Sequence, residues 1–66
     1  MDDKKTIGRR LTELRGDKSL VAAATEMGIT AQALCNYEAG YRIPRDEVKV
    51  IISNYYGRSV QEIFFD

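Results

Sequence analysis

The sequence predicts a single all-α domain of five short helices, and three observations lead to that fold class. Apolar residues recur at the spacing of helix faces. Residues that favour helix caps, together with glycines, divide the chain at short intervals, and no segment alternates apolar and polar residues as a strand does. We expect the 66 residues to form one domain, residues 1–66, with one core. A domain of this size has little room for an enclosed active site as well.

The first helix is predicted over about residues 6–15. One face of this segment carries three apolar residues at the i, i+4, i+7 spacing, namely Ile7, Leu11 and Leu14. Thr6 is the expected N-cap, because its hydroxyl oxygen can accept a free backbone N–H of the first turn. Gly16 or Asp17 is expected to end the helix.

The next two helices are predicted to form a pair joined by a tight turn. Ser19 can cap the second helix, Gly28 suits the left-handed position at its end, and Thr30 can cap the third helix. Ile29, the lone apolar residue of the turn, is expected to point inward. Two helices joined by a turn of about three residues that contains glycine cross steeply. The segment Ser19–Glu38 therefore predicts a helix-turn-helix.

The second half of the chain predicts two further helices. The fourth runs from Arg45 or Asp46 to Tyr56, and a short fifth helix follows a capping box formed by Ser59 and Glu62. The fourth helix is apolar on more than one side, which leaves two interpretations open. Either the fifth helix covers all of the apolar surface, or part of it remains as a dimer surface made of Val48, Ile51, Tyr55 and Phe65.

The charges balance overall but not locally. The chain has ten basic and ten acidic residues, whereas residues 1–18 hold six basic and four acidic side chains and residues 19–38 hold two acidic and no basic ones. Proteins that bind nucleic acid usually have a basic excess. Any electrostatic attraction to nucleic acid is therefore expected to come from the first helix and from Arg42 and Arg45.

The sequence lacks residue types that catalytic sites, zinc sites and disulfides need. There is no histidine and only one cysteine, Cys35, so a catalytic imidazole, a thiolate zinc site and an internal disulfide are not expected. No apolar run has the roughly 18 residues of a membrane span, and no signal peptide is recognisable. We expect a cytoplasmic protein that is not an enzyme and that uses no cofactor, metal or small-molecule ligand.

A resemblance covers nearly the whole predicted domain. Its residues are Ile7 to Leu11, Leu14, Arg15, Ser19, Ala24, Gly28 to Thr30, Leu34, Tyr37, Glu38, Gly40 to Pro44 and Gly57 to Phe64. In order and spacing this set resembles the lambda-repressor-like (Cro/XRE) helix-turn-helix regulators. The resemblance implies the compact five-helix fold of those regulators, with the helix-turn-helix formed by helices 2 and 3 binding double-stranded DNA in the major groove.

The resemblance also implies roles for individual residues. It implies base contacts from the third helix, by Ala31, Gln32 and Asn36. It implies phosphate contacts from the cap of that helix and from the following loop, by Thr30, Tyr41 and Arg42. It implies a structural ion pair between Arg15 and Glu38. Amide side chains can pair with adenine, and an alanine methyl can pack on a thymine methyl.

Two departures from the family pattern point to weak binding or to a site rich in A·T. Leu20 stands where these regulators often have a glutamine that contacts phosphate, and the third helix lacks the arginine that most often reads guanine. For Gln32 and Asn36 the alternative interpretation is solvated surface, and for Tyr41 and Arg42 it is an ordinary loop.

The sequence therefore predicts a sequence-specific transcriptional regulator, of the kind found as repressors in phages and mobile elements, that binds a palindromic operator as a homodimer. The alternative is a protein-interaction module, such as an antirepressor or adaptor, that retains the fold but not DNA binding. Zero net charge and the spare apolar surface of the fourth helix favour this alternative.

Overall fold

The computed structural model describes residues 3–65, which form five helices and contain no strand. The bounds of the helices, in chain order, are α1 Lys4–Arg15, α2 Leu20–Met27, α3 Ala31–Glu38, α4 Asp46–Tyr56 and α5 Gln61–Phe65. The all-α prediction is confirmed. Within these residues no helix has the length and apolar character needed to cross a membrane.

The predicted signals at the ends of α2 and α3 are confirmed. The Ser19 hydroxyl accepts the backbone N–H of Ala22, and the Thr30 hydroxyl accepts that of Ala33, each at 3.0 Å. Gly28 ends α2 in the left-handed conformation, with φ 79°. This conformation favours glycine because a Cβ would be strained there. The short turn between the two caps sets the crossing of α2 and α3.

The predicted start of α1 was wrong. The helix begins at Lys4, and its N-cap is Asp3, whose carboxylate accepts the Thr6 N–H at 2.8 Å. Thr6 lies inside the first turn and uses its own N–H as the donor. Hydrogen bonds from the backbone N–H and from the side chain of Thr6 to the ionised carboxylate hold the pKa of Asp3 below its ordinary value. A carboxylate one turn upstream was thus the better cap, because it also interacts favourably with the positive end of the helix dipole.

The last helix, α5, forms the predicted capping box but has an unusual backbone. The Ser59 N–H donates to the Glu62 carboxylate, and the Glu62 N–H donates to the Ser59 hydroxyl, each at 3.0 Å. The hydrogen bonds from Ser59 lower the pKa of Glu62. The backbone then makes a single π-helical turn over Gln61–Phe65. This turn places Phe64, which is fully buried, in the core.

The core lies between the helices and receives residues from all five. Its buried apolar side chains are Ile7, Leu11, Ala23, Ala24, Met27, Leu34, Ile52, Ile63 and Phe64. The two alanines belong to a run of three consecutive alanines in α2. Small side chains there let the neighbouring backbones approach closely, and each larger buried side chain contributes roughly 1.5–3 kcal/mol to folding.

The structure divides the predicted dimer surface into two parts. Val48 and Tyr55 are half-buried and pack against the core together with fully buried Ile52. These three positions follow the i, i+4, i+7 spacing, so they form the inner face of α4. Ile51 and Phe65 remain exposed, at 39% and 40%. Val48 and Tyr55 are therefore less available to a second copy than Ile51 and Phe65, because the core covers much of both side chains, and the dimer surface as a whole stays a prediction.

Helix α1 approaches the end of α3 so closely that only glycine fits at position 8. A Cβ at Gly8 would overlap the carbonyl oxygen of Glu38 and lie 2.9 Å from that of Tyr37. Both obstacles are backbone atoms, which cannot rotate away as a side chain can. Gly8 therefore sets the distance between α1 and α3.

Replacing Gly8 with alanine tests this constraint, because the constraint determines whether the free energy of unfolding rises or falls. In an unobstructed helix the substitution stabilises by about 0.5–1 kcal/mol. Here we expect the overlap to prevail and the free energy of unfolding to fall by about 2 kcal/mol, measured by urea denaturation followed by circular dichroism. Gly57→Ala is the control, because φ is 68° there and nothing lies within 4 Å of the added Cβ. The control reports backbone strain alone. A Gly8→Ala variant as stable as the parent would contradict the constraint.

Candidate functional site

The exposed side of α3 is the candidate functional surface. Gln32 and Cys35 are exposed, Asn36 is half-buried, and Leu34 on the opposite side is fully buried. Ala31 was expected on the outer side, but it is half-buried and packs against the core. The reason is its position three residues before Leu34, which places the two side chains on the same face. The outer side is therefore narrower than the sequence suggested.

Gln32 and Asn36 are joined by a hydrogen bond that the sequence did not predict. The Gln32 Nε2 donates to the Asn36 Oδ1 at 3.1 Å. The two residues are one turn apart, so their side chains meet on the helix surface. The bond leaves the Gln32 Oε1 as an acceptor, and donor hydrogens remain on both amide nitrogens. The pair therefore presents donors and an acceptor together from a restrained position.

The loop after α3 is held by backbone hydrogen bonds to Asn36. The Asn36 carbonyl oxygen accepts the N–H groups of Tyr41 at 2.9 Å and of Arg42 at 3.4 Å. Gly40, with φ 81°, provides the reversal that brings these N–H groups back to the helix. The side chains of Tyr41 and Arg42 are exposed. The loop is thus held in register with the exposed side of α3.

A groove of about 350 Å³ separates α3 from the start of α4. Its polar lining consists of Asn36, Arg42, Arg45 and Glu47, and its apolar lining of Ala33, Tyr37, Ile43 and Val48. The sequence had identified Arg45 only as a source of positive charge, and the structure places it beside Arg42. Glu47 in the same groove opposes part of that charge. Ala33 also lines this groove.

The Arg15–Glu38 ion pair is present, and its geometry is bidentate. The Arg15 Nε lies 2.8 Å from the Glu38 Oε2, and the Arg15 Nη2 donates to the Oε1 at 3.0 Å. The third guanidinium nitrogen donates to the carbonyl oxygen of Lys18 at 2.7 Å. The side chains of Arg15 and Glu38 are only 19% and 7% exposed. The hydrogen bond to Glu38 raises the pKa of Arg15, which stays charged. The pair ties α1 to the last turn of α3.

The second carboxylate of the helix-turn-helix is also paired. Lys18 lies 2.8 Å from the Glu26 carboxylate, and the Tyr55 hydroxyl donates to the same oxygen. These contacts raise the pKa of Lys18 and lower that of Glu26. Neither carboxylate of residues 19–38 is therefore an uncompensated negative charge near the exposed side of α3.

Within residues 3–65 the structure contains no group of three histidine, cysteine or acidic side chains placed to hold a metal ion. Cys35 is exposed on α3 and unpaired. Apart from the Glu47 carboxylate, the polar side-chain groups at this surface are amides, hydroxyls and guanidinium groups. Such groups form hydrogen bonds and contact anions, and they are the groups that proteins direct at base edges and phosphates.

A known protein family matches most of the chain. Residues 10–63 match the family described as Helix-turn-helix. The matched segment covers most of the chain and includes α2, α3 and the capping box before α5. A search of curated proteins found no match for the chain.

The Arg15–Glu38 pair can be tested by a double-mutant cycle with Arg15→Gln and Glu38→Gln. Because the pair is bidentate and shielded from water, we expect a coupling free energy of about 1–3 kcal/mol in urea denaturation. The matched control is the cycle for Lys18 and Glu26, whose side chains are 46% and 50% exposed. That cycle should give a smaller coupling, one that added salt weakens further. Equal couplings in the two cycles would contradict a special role for the Arg15–Glu38 pair.

Proposed function

The chain belongs to the Cro/C1-type helix-turn-helix family of DNA-binding transcriptional regulators, and on that premise we propose that it reads double-stranded DNA by placing α3 in the major groove. The family is not a family of enzymes. The observation that carries the proposal is the hydrogen-bonded pair of amides, Gln32 and Asn36, on the exposed side of α3. A short helix of this kind fits the width of the major groove.

In this proposal Gln32 and Asn36 make the principal base contacts. The free Oε1 of Gln32 can accept from the N6 amino group of adenine while an amide N–H donates to N7. The bond between the two side chains supports the role because it lowers the entropy lost on binding. Ala31 contributes a methyl contact at most, since its side chain is partly turned toward the core. The chain thus favours an A·T-rich half-site.

Phosphate contacts are assigned to Thr30, Tyr41 and Arg42. The Thr30 oxygen accepts the Ala33 N–H as a cap, which leaves its own O–H to donate to a phosphate. Tyr41 is 72% exposed although it is aromatic, and Arg42 is exposed beside it. Because the Asn36 carbonyl holds the loop, these contacts would keep a fixed distance from the base contacts.

We propose further that the chain acts as a homodimeric repressor of the phage or mobile-element type on a palindromic operator. One recognition helix reads only a few base pairs, so two half-sites one helical turn apart provide the selectivity. The exposed apolar side chains that support a second copy are Val50, Ile51 and Phe65, at 51%, 39% and 40%. Ile51 and Phe65 belong to the surface expected from the sequence, and Val50 is added to it.

A second candidate function is a protein-interaction module that no longer binds DNA. Its support is the zero net charge together with the same exposed apolar side chains of α4 and α5. The two functions differ in whether α3 is used: the first requires it for DNA, and the second relies on α4 and α5 alone. They can therefore be separated by experiments directed at α3.

Binding-site selection from a random duplex pool tests the main proposal. We expect the unmodified chain to select a palindrome and to bind it as two copies by mass measurement. Gln32→Ala should cost about 1–3 kcal/mol on the selected site and relax base preference at one position in each half-site. Arg42→Ala should weaken binding to all duplexes alike. It should also reduce the slope of log K against log salt concentration by about one.

Each result of this selection bears on a stated assignment. Identical behaviour of the two variants on all duplexes would make the base and phosphate assignments wrong. A folded chain that binds no duplex at about 50 mM salt would overturn DNA binding itself, since attraction to phosphates is strongest at low salt.

Cys35 offers a separate test of whether α3 lies in the major groove, because it is the sole cysteine and is exposed on α3. We expect the selected duplex to slow its alkylation by iodoacetamide at least tenfold, because the major groove would cover the outer side of the helix. A duplex with scrambled half-sites is the control and should protect less. Protection by a protein partner but by no duplex would instead favour the interaction module.

A further inference from the structure

The basic residues at the start of the chain differ in what they contact. There are six within residues 1–18: Lys4, Lys5, Arg9, Arg10, Arg15 and Lys18. Arg15 and Lys18 are each engaged by a carboxylate of the helix-turn-helix. Arg10 donates to the carbonyl oxygen of Ile63 at 3.0 Å, on the side of α1 that faces α5. These three cations are committed to holding the fold together.

The first turn of α1 lies directly beside the loop that follows α3. A Cβ at Gly40 would lie 3.3 Å from both the Cα and the Cγ of Lys5, and 3.5 Å from the carbonyl carbon of Lys4. Lys4 and Lys5 are exposed. Within the described residues neither forms an ion pair with a carboxylate. Two ammonium groups that have no carboxylate ion-pair partner among residues 3–65 therefore stand next to the loop.

Tyr41 and Arg42, which follow Gly40, are the loop residues assigned above to phosphates. We propose that Lys4 and Lys5 extend this phosphate-binding surface, so that the first turn of α1 contacts the sugar–phosphate backbone of the same duplex. We call these four residues the phosphate strip. The inference rests on the proposed function and adds two residues to it.

Two observations support the phosphate strip. The shallow groove at this junction, about 500 Å³ in volume, is lined by Asp3, Lys4, Lys5, Thr6 and Gly40. Asp3 is its one acidic lining residue, and the Thr6 N–H engages that carboxylate as the helix cap. The helix-turn-helix has no basic residue of its own, so sequence-independent affinity must come from cations outside it. The lysines of α1 are exposed cations held against its loop.

Salt dependence of DNA binding tests the strip directly. The variants are Lys4→Gln, Lys5→Gln and the double variant, assayed by fluorescence anisotropy with a duplex of mixed sequence about 20 base pairs long. Removing one lysine–phosphate interaction should lower the slope of log K against log salt by about 0.9. The ratio of the DNA-binding constant of the unmodified chain to that of the double variant should then fall about tenfold between 50 and 200 mM salt. Base preference in the selected site should not change.

The matched control is Arg58→Gln, which removes one positive charge from an exposed residue near Arg10 and Glu62, away from the loop. Its salt slope should equal that of the unmodified chain. The double Lys→Arg variant should keep the parent slope as well, since it keeps both charges. Thermal melting followed by circular dichroism checks that every variant is folded.

The possible results separate the strip from the function on which it rests. An unchanged slope in the double Lys→Gln variant would overturn the strip and leave DNA binding intact. An equal fall in Arg58→Gln would also overturn it, because the effect would then belong to net charge. If the unmodified chain binds no duplex at about 50 mM salt, the proposed function fails and the strip fails with it.

Discussion

The close contact between α1 and the end of α3 is the constraint on which the rest of the structure depends. Gly8 removes the side chain that would separate the two backbones. On the same side of α1, Arg15 reaches the Glu38 carboxylate and Lys5 meets the loop at Gly40. One side of α1 thus fixes both the last turn of α3 and the residues that follow it. The outer side of α3 and its loop are held as one rigid unit.

In the helix-turn-helix the charged side chains form ion pairs, and no surplus of basic residues is present. The two carboxylates of the helix-turn-helix are matched by cations from the end of α1 and from the turn after it. Pairing leaves the exposed side of α3 nearly neutral, so hydrogen bonding by amides is the dominant chemistry there. Such a surface discriminates between partners through geometry more than through long-range attraction. Recognition of an anionic polymer is therefore compatible with zero net charge, provided that cations without a carboxylate partner lie around the neutral surface.

Much of the fold could be predicted because its signals are local. Caps and left-handed glycines act over three or four residues, so the ends of α2, α3 and α4 followed from Ser19, Thr30, Gly28 and the glycine after Tyr56. The start of α1 differed from the prediction because Asp3 and Thr6 both favour caps, and the Asp3 carboxylate is additionally stabilised by the positive end of the helix dipole. The capping box of Ser59 and Glu62 predicts the start of α5 but not whether its turn is α-helical or π-helical.

The candidate site was predictable in its location but not in its detail. The exposure of Gln32 on α3 followed from helix periodicity and from the start of that helix. Helix periodicity places Ala31 on the face of Leu34, but how far Ala31 is covered by the core while Ala33 is left at the groove depends on the elements packed around α3. The same limit applies to Val48 and Tyr55, which are covered by neighbours distant in sequence. The bond between Gln32 and Asn36 requires side-chain conformations that spacing permits but does not select.

The closure of the core by α5 has a consequence for how the protein is made. Arg10 near the start of the chain donates to the carbonyl oxygen of Ile63, and fully buried Phe64 follows directly. A nascent chain emerges from the ribosome N-terminus first, so α1 to α4 reach solvent before the residues that complete their core. Until then Ile7 and Leu11 have no Phe64 to pack against. The complete fold is therefore reached only after residue 64 has left the exit tunnel.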